Sequence, residues 1–536
     1  MLYEKQIFDG LNKAQARAVQ GTKGPVLVIA GPGSGKTLTI VRRIAYLVSK
    51  GIKPEDILAV TFTNRAAREM KGRIEELLKE KSNCIFIGTF HLLGLRIIQD
   101  NQPTGFSILS RDEQIDLFRS FLHCSIKDVR HAVEKISRVK NFLTTADDET
   151  QKIYTTYEAC LRQRNAIDID DLILKPIAML ENSKTASACR SKYQHVIVDE
   201  YQDINPAQYR LLKLLTKNSD SLYAVGDADQ AIYSFRGAVI DNFLNFEKDF
   251  ADATRITLSE NYRSSGAIVS AANMVIKNNT KRVDKELTTS RERGKTIAII
   301  SVPDERVEGE IIVREIEMRM CGTSHYQMVK RGVAQDYSSC TFRFSDFGVI
   351  YRTNAQAKAL ENTFSSSGIP FQIIGSRSKA KTNENDATIA FLQSIMLAHQ
   401  DGTSRQLDGQ EAKLITAEDF FDYRADAVTL MTIHMAKGLE FPVVFMAGVE
   451  DGLMPCTIIQ DGVDIEEERR LCYVGMTRAE NELIMLHVRT RFLYGRRRTL
   501  GPSPFLNELP ARFINHTDVP DKNRKRTKTD RQIKLL

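Results

Sequence analysis

The sequence lacks three features that would each assign it to a distinct class of protein. It contains no apolar run long enough to span a bilayer, which argues against a helical membrane protein. Its N-terminus, MLYEKQIFDGLN, lacks the apolar core of a signal peptide, so we expect a cytosolic protein, or a nuclear one if the source is eukaryotic. The eight cysteines include no CxxC pair, so we expect reduced thiols rather than a disulfide framework or a zinc site.

Length and composition are those of an ordinary multidomain protein. The 536 residues suffice for roughly three or four domains. The chain is 42% hydrophobic and 27% charged, and it has a net charge of +7 and a pI near 8.8. This positive balance is compatible with a polyanionic partner but does not require one.

A glycine-rich stretch near the start of the chain has the pattern of a phosphate-binding loop. The apolar run at 26–29 predicts a buried strand, and the apolar stripe that begins at Val41 predicts a helix ending near Gly51. A strand, a glycine loop and a helix in this order form a P-loop, in which backbone N–H groups wrap the phosphates of a nucleoside triphosphate. Lys36 would neutralise the β- and γ-phosphates, and the Thr37 hydroxyl would bind Mg²⁺. The nucleotide-binding residues predicted in this loop are Ala30, Gly31, Pro32, Gly33, Ser34, Gly35, Lys36 and Thr37.

Acidic and amide residues after later strands predict the catalytic half of an ATPase site. The apolar run at 196–198 ends in Asp199 and Glu200. Asp199 would hold Mg²⁺ through water, and Glu200 would polarise the attacking water. Gln230, which follows the next strand, is placed to sense a γ-phosphate. Gln15, ahead of the P-loop, either reads the edge of adenine or is an ordinary surface residue.

Polar and aromatic side chains follow two further strands, where open α/β sheets bind ligands. The first group, Thr61 to Asn64, includes Phe62, and the second, Thr89 to His91, includes Phe90. Taken alone, both phenylalanines would be interpreted as core residues. Residues 92–192 are helical, polar and basic in pattern, which predicts a helical insertion between strands.

Nine stretches together resemble superfamily 1 helicases of the UvrD/Rep type. They are AGPGSGKT, TFTNRAAREM, GTFH, IDIDDL, VIVDEYQD, VGDADQAIYSFRGA, LSENYRS, VTLMTIHMAKGLEFPVVF and EEERRLCYVGMTRAENEL. They occur in family order between residue 8 and about residue 512. The resemblance implies an α/β P-loop NTPase with two RecA-like parallel-sheet domains, a helical insertion in the first and a truncated insertion in the second. It also implies that ATP and Mg²⁺ are the cofactors and that single-stranded DNA crosses both domains.

The resemblance also assigns roles to residues beyond the P-loop. It implies that Tyr262 stacks on adenine, that Glu440 faces the ribose, and that Arg263 and Arg478 reach the γ-phosphate. Phe62, Tyr233 and Phe235 would stack on bases, an interaction that tolerates any sequence. The remaining DNA contacts that it implies are Thr61, Asn64, Thr89, His91, Arg236, Arg352, Asn354 and His434.

The same resemblance divides the chain into domains. The ranges are 1–91 and 193–262 for the first RecA-like domain (1A), 92–192 for its helical insertion (1B), 263–380 and 426–514 for the second RecA-like domain (2A), 381–425 for a remnant of the accessory domain 2B, and 515–536 for a basic, disordered tail. The stretch 381–425 is too short to bury a core of its own, so 2B is essentially missing. Residues 319–346 are expected to be a surface loop or hairpin. The tail could contact DNA phosphates, act as a nuclear address or only aid solubility.

Two single-residue departures from the family affect the expected contacts. The chain contains no tryptophan, and Phe235 stands where the family usually has Trp. Leu38 stands where the family usually has an arginine beside the adenine. We therefore expect a weaker grip on bases and an adenine site that relies on Gln15 and Tyr262.

These observations predict an ATP- and Mg²⁺-dependent translocase on single-stranded DNA that unwinds duplexes with 3′→5′ polarity. We expect a monomer that binds single strands and junctions between single- and double-stranded DNA, acting in repair, recombination or replication. The alternative is a translocase that displaces proteins, or works in a partner complex, and unwinds weakly alone. A P-loop phosphotransferase is a more distant alternative, and Arg263 and Arg478 together with the nucleic-acid motifs argue against it.

Overall fold

The chain divides into two units, and the computed structural model describes residues 6–21, 24–102, 105–216, 222–250, 252–321, 342–374, 392–393, 422, 424–459 and 462–521. The first unit runs to Tyr262 and the second begins at Arg263, the position at which the sequence boundary was drawn. The chain then returns to the first unit for Lys281–Glu286, a return that the sequence did not indicate. Leu392 and Gln393, within the stretch expected to be a 2B remnant, also belong to the first unit.

The first unit is built on a six-stranded sheet whose strands are all parallel. Its order is β3-β2-β6-β7-β1-β8, in which the numbers follow the chain. The strands are β1 Val26–Ala30, β2 Ile57–Thr61, β3 Phe86–Thr89, β6 His195–Val198, β7 Leu222–Gly226 and β8 Thr254–Leu258. The P-loop strand β1 therefore lies between β7 and β8, and the acid-bearing strand β6 is the neighbour of β7.

Helices cover both faces of this sheet, as an apolar run without alternation requires. Leu27 and Ile29 pack into the core on one face, while Val26 and Val28 pack into the core on the other. The helices of the first unit other than those of residues 102–192 are α1 Lys13–Gln20, α2 Lys36–Ser49, α3 Asn64–Leu78, α4 Phe90–Asn101, α10 Pro206–Thr216, α11 Asp241–Leu244 and α12 Phe246–Asp249, and the insertion begins within α4. The core of a doubly wound parallel sheet thus fixes the strand ends that carry the candidate residues.

The insertion between β3 and β6 is helical, as its sequence predicts. It contains α5 Arg111–Phe121, α6 Ile126–Phe142, α7 Asp148–Gln163, α8 Asp171–Glu181 and α9 Ser183–Lys192, with a short parallel pair of β4 Ser107–Ile108 and β5 Ala166–Ile167. A core that includes Phe118, Val133, Ile136 and Tyr157 holds α5, α6 and α7 together. The insertion therefore has apolar packing of its own.

Leu392 packs against this part of the first unit. Its side chain is 1% exposed in a cluster with Leu95, Ile98 and Leu172, and the Gln393 amide donates to the Ile108 carbonyl at 2.7 Å. Leu392 and Gln393, two of the described residues of the 381–425 stretch, are thus held by the first unit.

The second unit contains an eight-stranded sheet with the order β11-β12-β10-β13-β14-β9-β16 and with β15 paired to β14. Only the β14–β15 pair is antiparallel among the described strands of this sheet. The strands are β9 Ile297–Asp304, β10 Phe347–Tyr351, β11 Phe371–Ile373, β12 Val428–Thr432, β13 Phe441–Ala447, β14 Ala479–Leu493, β15 Arg496–Thr499 and β16 Ile514–Asp518. Its helices are α13 Gly266–Ile276, α14 Glu305–Cys321, α15 Asn354–Ser367 and α16 Ile465–Met476. Both units are therefore α/β layers on parallel sheets, as expected.

Strand β16 corrects the expected end of the fold. The sequence prediction ended the second domain at 514 and began a disordered tail at 515, yet Ile514–Asp518 pairs in parallel with β9 along five residues. Only Ile514 is apolar in this segment, so backbone hydrogen bonds at the sheet edge, rather than an apolar pattern, hold it. Residues 522–536 of the tail, most of the 319–346 insertion and nearly all of 381–425 lie outside the described residues.

None of the helices among the described residues is both long enough and apolar enough to cross a membrane.

Candidate functional site

The P-loop joins β1 to α2 in the conformation that phosphate binding requires. Gly33 and Gly35 have φ values of 67° and 83°, a backbone region that side-chain-bearing residues rarely adopt. Helix α2 begins at Lys36 directly after Gly35, which as a glycine has no side chain to cap the first N–H groups. The positive end of the helix and these N–H groups are therefore available to an anion.

Three contacts hold the loop from outside. The Gln15 amide donates to the Ser34 carbonyl at 2.9 Å. The Asn261 amide donates to the Pro32 carbonyl at 2.7 Å, and the Tyr262 backbone N–H donates to the Gly33 carbonyl at 2.9 Å. In a trans peptide the C=O and the next N–H point in opposite directions. The N–H groups that follow these carbonyls therefore point away from the residues that hold the loop, and that of Ser34 donates to the Gly31 carbonyl at 3.3 Å.

Gln15 and Tyr262, the two expected adenine contacts, both belong to the first unit. Gln15 is 2% exposed, and its side-chain oxygen also accepts from the Asn12 N–H at 3.0 Å, which closes a cap on α1. Tyr262 is 45% exposed, and its hydroxyl bonds to Asn12 and Glu260 at 2.7 Å each. Tyr262 thus offers a ring face beside the P-loop, while Gln15 already bonds at both ends of its amide. Their contacts with adenine stay predictions.

The two acids at the end of β6 have different conformations and partners. Asp199 is 7% exposed, and its Oδ1 accepts from the Glu200 N–H at 2.9 Å. Glu200 has φ 50° and ψ 43°, a left-handed conformation that costs a non-glycine residue about 1–2 kcal/mol. Such strain is retained where the surrounding structure fixes the residue, often at functional sites. The turn places the Glu200 carboxylate beside the Gln202 amide, which donates to it.

Thr37 and Asp199 are a donor set that fits Mg²⁺. Both provide hard oxygen atoms, and Mg²⁺ is usually bound by one or two protein oxygens, waters and phosphate. Lys36, whose Nζ donates to the Ala30 carbonyl at 3.1 Å, brings a cation to the mouth of the same loop. The lining of the loop therefore suits a nucleoside triphosphate with its metal ion.

A hydrogen-bond chain connects Glu200 to Gln230. The Gln202 side-chain oxygen accepts from the Asp227 N–H at 2.9 Å, while its amide donates to Glu200. The Asp227 carboxylate then accepts from the Gln230 amide at 2.7 Å. A Cβ at Gly226 would overlap the Gln202 side-chain oxygen, so this close approach requires glycine. The chain fixes the candidate γ-phosphate sensor relative to the candidate catalytic acid.

Two aromatic rings and one guanidinium on the loop that follows Gln230 cluster with the ring of Phe62, which follows β2. The rings of Phe62 and Tyr233 stack with their centroids 5.0 Å apart and an interplanar angle of 19°. Phe235 is 64% exposed, and its ring centroid lies 5.8 Å from that of Tyr233. The Arg236 guanidinium lies 5.1 Å from the Tyr233 ring centroid and 5.6 Å from that of Phe235. Tyr233 is 8% exposed and therefore supports the other two rings, whereas Phe235 presents an open face.

The other expected DNA contacts of the first unit differ in accessibility. Thr61 and Thr89 are 1% and 6% exposed, and the Thr89 hydroxyl caps α4 by accepting from the Leu92 N–H. Asn64 begins α3 and is half-buried. His91 is also half-buried, and burial lowers its pKa to about 4, so it is neutral at pH 7. The structure thus places Asn64 and His91 nearer the surface than the two threonines.

In the second unit, the expected phosphate-contacting arginines bind acceptors of their own unit. Arg263 is paired with Glu440 at 2.5 Å and donates to the Thr477 carbonyl at 3.2 Å. Arg478 is 2% exposed and donates to the Val474 and Leu439 carbonyls at 2.9 and 3.1 Å. Glu440, expected to face a ribose, instead contacts Arg263.

The expected DNA contacts of the second unit also differ from one another. Arg352 forms a two-pronged ion pair with Glu468, with a shortest distance of 2.6 Å. Asn354 is exposed at the start of α15, and His434 is half-buried just after β12. Asn354 is therefore the most accessible of the three, and all three roles stay predictions.

Comparison with known proteins assigns the chain to a family. Residues 11–251 match the UvrD/REP helicase N-terminal domain, and residues 256–419 and 409–490 match the UvrD-like helicase C-terminal domain. The chain belongs to the UvrD/Rep helicase family. The ATP-dependent DNA helicase PcrA of Staphylococcus aureus is 31% identical over an alignment that covers 95% of this chain and 88% of the relative. PcrA of Staphylococcus epidermidis is 32% identical with the same coverage.

A solved structure, the C-terminal domain of a possible DNA helicase from Lactobacillus plantarum WCFS1, matches 48% of this chain and 98% of that one. Its TM-score is 0.25 at 15% identity, too low to bear on the fold.

The alignment with PcrA of Staphylococcus aureus is longer than the chain itself. It runs over 659 positions, whereas the chain has 536 residues, so more than a hundred positions have no counterpart here. Loss of most of the 2B insertion would produce such a deficit, and that loss stays a prediction.

Sequence reasoning missed three residues of the UvrD/Rep site. Gln202 and Asp227 connect the acid pair to Gln230, and Lys285 contacts Asp227 from the returning segment 281–286. Asp227 follows the end of β7 directly, a position that could have marked it as a site residue. Lys285 carries no such signal, because it is one of several basic residues in a polar stretch that lies outside the family motifs.

Proposed function

We propose that this chain is an ATP- and Mg²⁺-dependent motor that moves along single-stranded DNA with 3′→5′ polarity and separates duplex DNA. The observation that carries the proposal is the loop from Asp227 to Gly237. This loop holds the Gln230 amide on the Asp227 carboxylate, whose pKa is lowered by Lys36 among others, and, five positions after Gln230, it presents the exposed ring of Phe235. A change in the position of Gln230 on hydrolysis would therefore be passed directly to a base-stacking side chain. The proposed 3′→5′ polarity is the one that the resemblance to UvrD/Rep helicases implies.

Each residue of the first unit has a defined chemical task in this proposal. Bound ATP supplies the transferable phosphoryl group and its Mg²⁺ offsets the charge on the phosphates. The P-loop N–H groups and Lys36 hold the phosphates, and Asp199 and Thr37 offer oxygen ligands. Glu200 orients the attacking water and accepts its proton, because a carboxylate within hydrogen-bond reach of water can act as a general base. Gln230 donates to the γ-phosphate.

Arg263 and Arg478 would stabilise the charge that develops in the transition state. Guanidinium groups in this role are worth about 10³–10⁵ in rate in other NTPases. Both side chains now bind acceptors of the second unit. The role therefore requires each guanidinium to exchange a carboxylate or carbonyl partner for phosphate oxygens, which accept the same planar fork of donors.

The DNA track in this proposal combines stacking with phosphate contacts. Phe235 and Phe62 would stack on bases, and Arg236 would reach the backbone. Such contacts ignore base identity, which suits a motor that must move along any strand. The protein is expected to work as a monomer on single strands and on junctions.

The experiment that tests the proposal has two stages. ATP hydrolysis is first measured with and without single-stranded DNA, in parallel for the chain as it is and for Glu200→Gln. Unwinding is then measured on duplexes with a 3′ or a 5′ tail. The proposal predicts hydrolysis that DNA stimulates, loss of turnover in Glu200→Gln, and unwinding of the 3′-tailed duplex. ATP hydrolysis that single-stranded DNA does not stimulate, or unwinding only of the 5′-tailed duplex, would contradict the proposal.

A second candidate function is translocation with weak unwinding, in which the motor displaces proteins or serves a partner complex. The alignment deficit supports it, because the expected loss of most of 2B would remove a domain that grips the duplex. Single-turnover unwinding with a protein trap distinguishes the two, since a weak unwinder releases the duplex before strand separation. Replacing residues 385–420 with a Gly/Ser linker should bring no gain in unwinding, whereas a large gain would show that the remnant restrains the motor.

A further inference from the structure

Residues 281–286 bring one buried cation, Lys285, and one partly buried cation, Arg282, to the first unit. The chain leaves the first unit at Tyr262, forms α13 in the second unit, returns for Lys281–Glu286 and leaves again at Leu287. The Lys285 side chain is 2% exposed, and its Nζ contacts one carboxylate oxygen of Asp227 and, at 2.5 Å, one of Asp229. Lys285 is thus among the most buried side chains of the site.

Arg282 completes the charge balance. It makes a two-pronged contact with Asp229 at 3.2 and 3.0 Å, and it donates to the Lys285 carbonyl at 3.1 Å. Asp227 and Asp229 are 0% and 1% exposed. Two buried carboxylates therefore meet two cations, an arrangement that is stable only while both signs are present.

Asp227 is shared between Lys285 and Gln230. One carboxylate oxygen accepts from Lys285 and from the Asp229 N–H at 3.0 Å, and the other accepts from the Gln230 amide at 2.7 Å. Burial alone would raise the pKa of Asp227, but Lys285 and Lys36 hold it below the ordinary value. Lys285 therefore keeps charged the carboxylate that orients Gln230.

We propose that Lys285 is a positioning residue that fixes the Gln230 amide by holding the Asp227 carboxylate. The inference rests on the proposed function in one respect, namely that Gln230 meets the γ-phosphate. Besides Lys285, Lys36 is the cation that holds down the pKa of Asp227, and the phosphates also need Lys36. Without Lys285, Asp227 would draw Lys36 away or become protonated, and Gln230 would lose its fixed acceptor.

The test uses the full chain with Lys285→Met, which keeps an unbranched side chain of similar length and removes the charge. The matched control is Lys277→Met, an exposed lysine at the end of α13. We expect Lys285→Met to lower kcat at saturating ATP and DNA by about 100-fold, the scale of a 1 Å misplacement. The KM for ATP should change by far less. Lys277→Met should hydrolyse ATP like the unaltered chain.

Two further readouts separate positioning from a general structural role. The double variant Lys285→Met/Gln230→Ala should be no slower than Gln230→Ala alone, because Lys285 acts through Gln230. Additive losses would overturn the inference.

The pH profile of Lys285→Met gives the second readout. The charged groups around Asp227 are Lys285, Lys36, Asp229 and Arg282. Removing Lys285 raises the pKa of Asp227, so the carboxylate protonates at higher pH. The acid limb of the kcat profile should therefore move to higher pH, and an unmoved limb would contradict the inference.

The outcomes distinguish this inference from the proposed function. If Gln230→Ala hydrolyses ATP normally, the role of Gln230 in the proposed function is wrong. If Gln230→Ala is slow and Lys285→Met is normal, only the inference about Lys285 is wrong. Should Lys285→Met fold poorly, Lys285→Met/Asp229→Asn removes one buried charge of each sign while still depriving Asp227 of its lysine. A normal kcat in that variant would equally overturn the inference.

Discussion

Removing the ring of Phe235 should weaken the grip on single strands while leaving the fold intact. The side chain is 64% exposed, so Phe235→Ala removes little buried area and should change the free energy of unfolding by no more than about 0.5 kcal/mol. Stacking of one base on an aromatic ring is worth about 1–3 kcal/mol. At about 1.4 kcal/mol for each tenfold step, the Kd for a single strand should rise about 5- to 150-fold.

The assay is a titration of labelled oligonucleotides of different base composition, at several salt concentrations. Affinity should fall for every sequence alike, and the slope of log K against log[salt] should stay as it is, because a ring releases no counterions. Arg236→Ala should instead reduce that slope by about one. Phe492→Ala, a ring 57% exposed on β14 of the second unit, is the matched control and should bind like the unaltered chain.

Movement is the second part of the same prediction. Phe235→Ala should still hydrolyse ATP, because its phosphate site is intact, but it should move a shorter distance along the strand for each ATP. Phe235→Trp should strengthen binding to single strands by enlarging the stacking face. Unchanged affinity together with an unchanged translocation rate in Phe235→Ala would refute the reasoning and remove this ring from the track.

Three other changes test the site and the packing around it. Glu200→Gln should bind ATP nearly normally, because Asp199 remains as a metal ligand, but it should abolish turnover. Nucleotide titration and single-turnover hydrolysis measure the two effects. Near-normal hydrolysis would show that Glu200 is not the catalytic acid. Gly226→Ala should lower the free energy of unfolding by about 1–3 kcal/mol and slow ATP hydrolysis, because its Cβ would overlap Gln202. Denaturant unfolding measures this, and an unchanged free energy of unfolding would contradict the close contact between Gly226 and Gln202. Leu392→Ala should lower the free energy of unfolding by at least about 2 kcal/mol in the same measurement, because the side chain is 1% exposed in an apolar cluster. An unchanged value would show that Leu392 does not pack in this cluster in solution.

The parts of the fold that the sequence predicted are those encoded by contiguous patterns. The strand, glycine loop and helix around Lys36 and the apolar strand before Asp199 are local signals, because backbone geometry and burial act over a few residues. Strand β16 was missed because only Ile514 in it is apolar, and an edge strand can form through backbone bonds alone.

Candidate side chains were harder to predict than the elements that carry them. Gln15 and Arg478 were chosen as ligand contacts, yet both are buried with bonds to nearby backbone groups. Motifs identify which residues matter but do not say which partner holds each side chain in a given state. Lys285 depends entirely on a tertiary contact between residues 58 positions apart, for which no local pattern exists.

The return of the chain at 281–286 has a consequence for any attempt to dissect the protein. A fragment that stops at Tyr262 would contain the whole P-loop, both acids of β6 and Gln230, and so would look like a complete nucleotide-binding half. It would nevertheless lack Arg282 and Lys285, the cations that contact the buried Asp227 and Asp229, and loss of the partner of a buried charge costs about 3–5 kcal/mol. Extending the fragment to Glu286 should restore a cooperative unfolding transition that the shorter fragment lacks. The first unit therefore contains its candidate nucleotide-binding residues within 1–262 but depends on residues 281–286 for its charge balance.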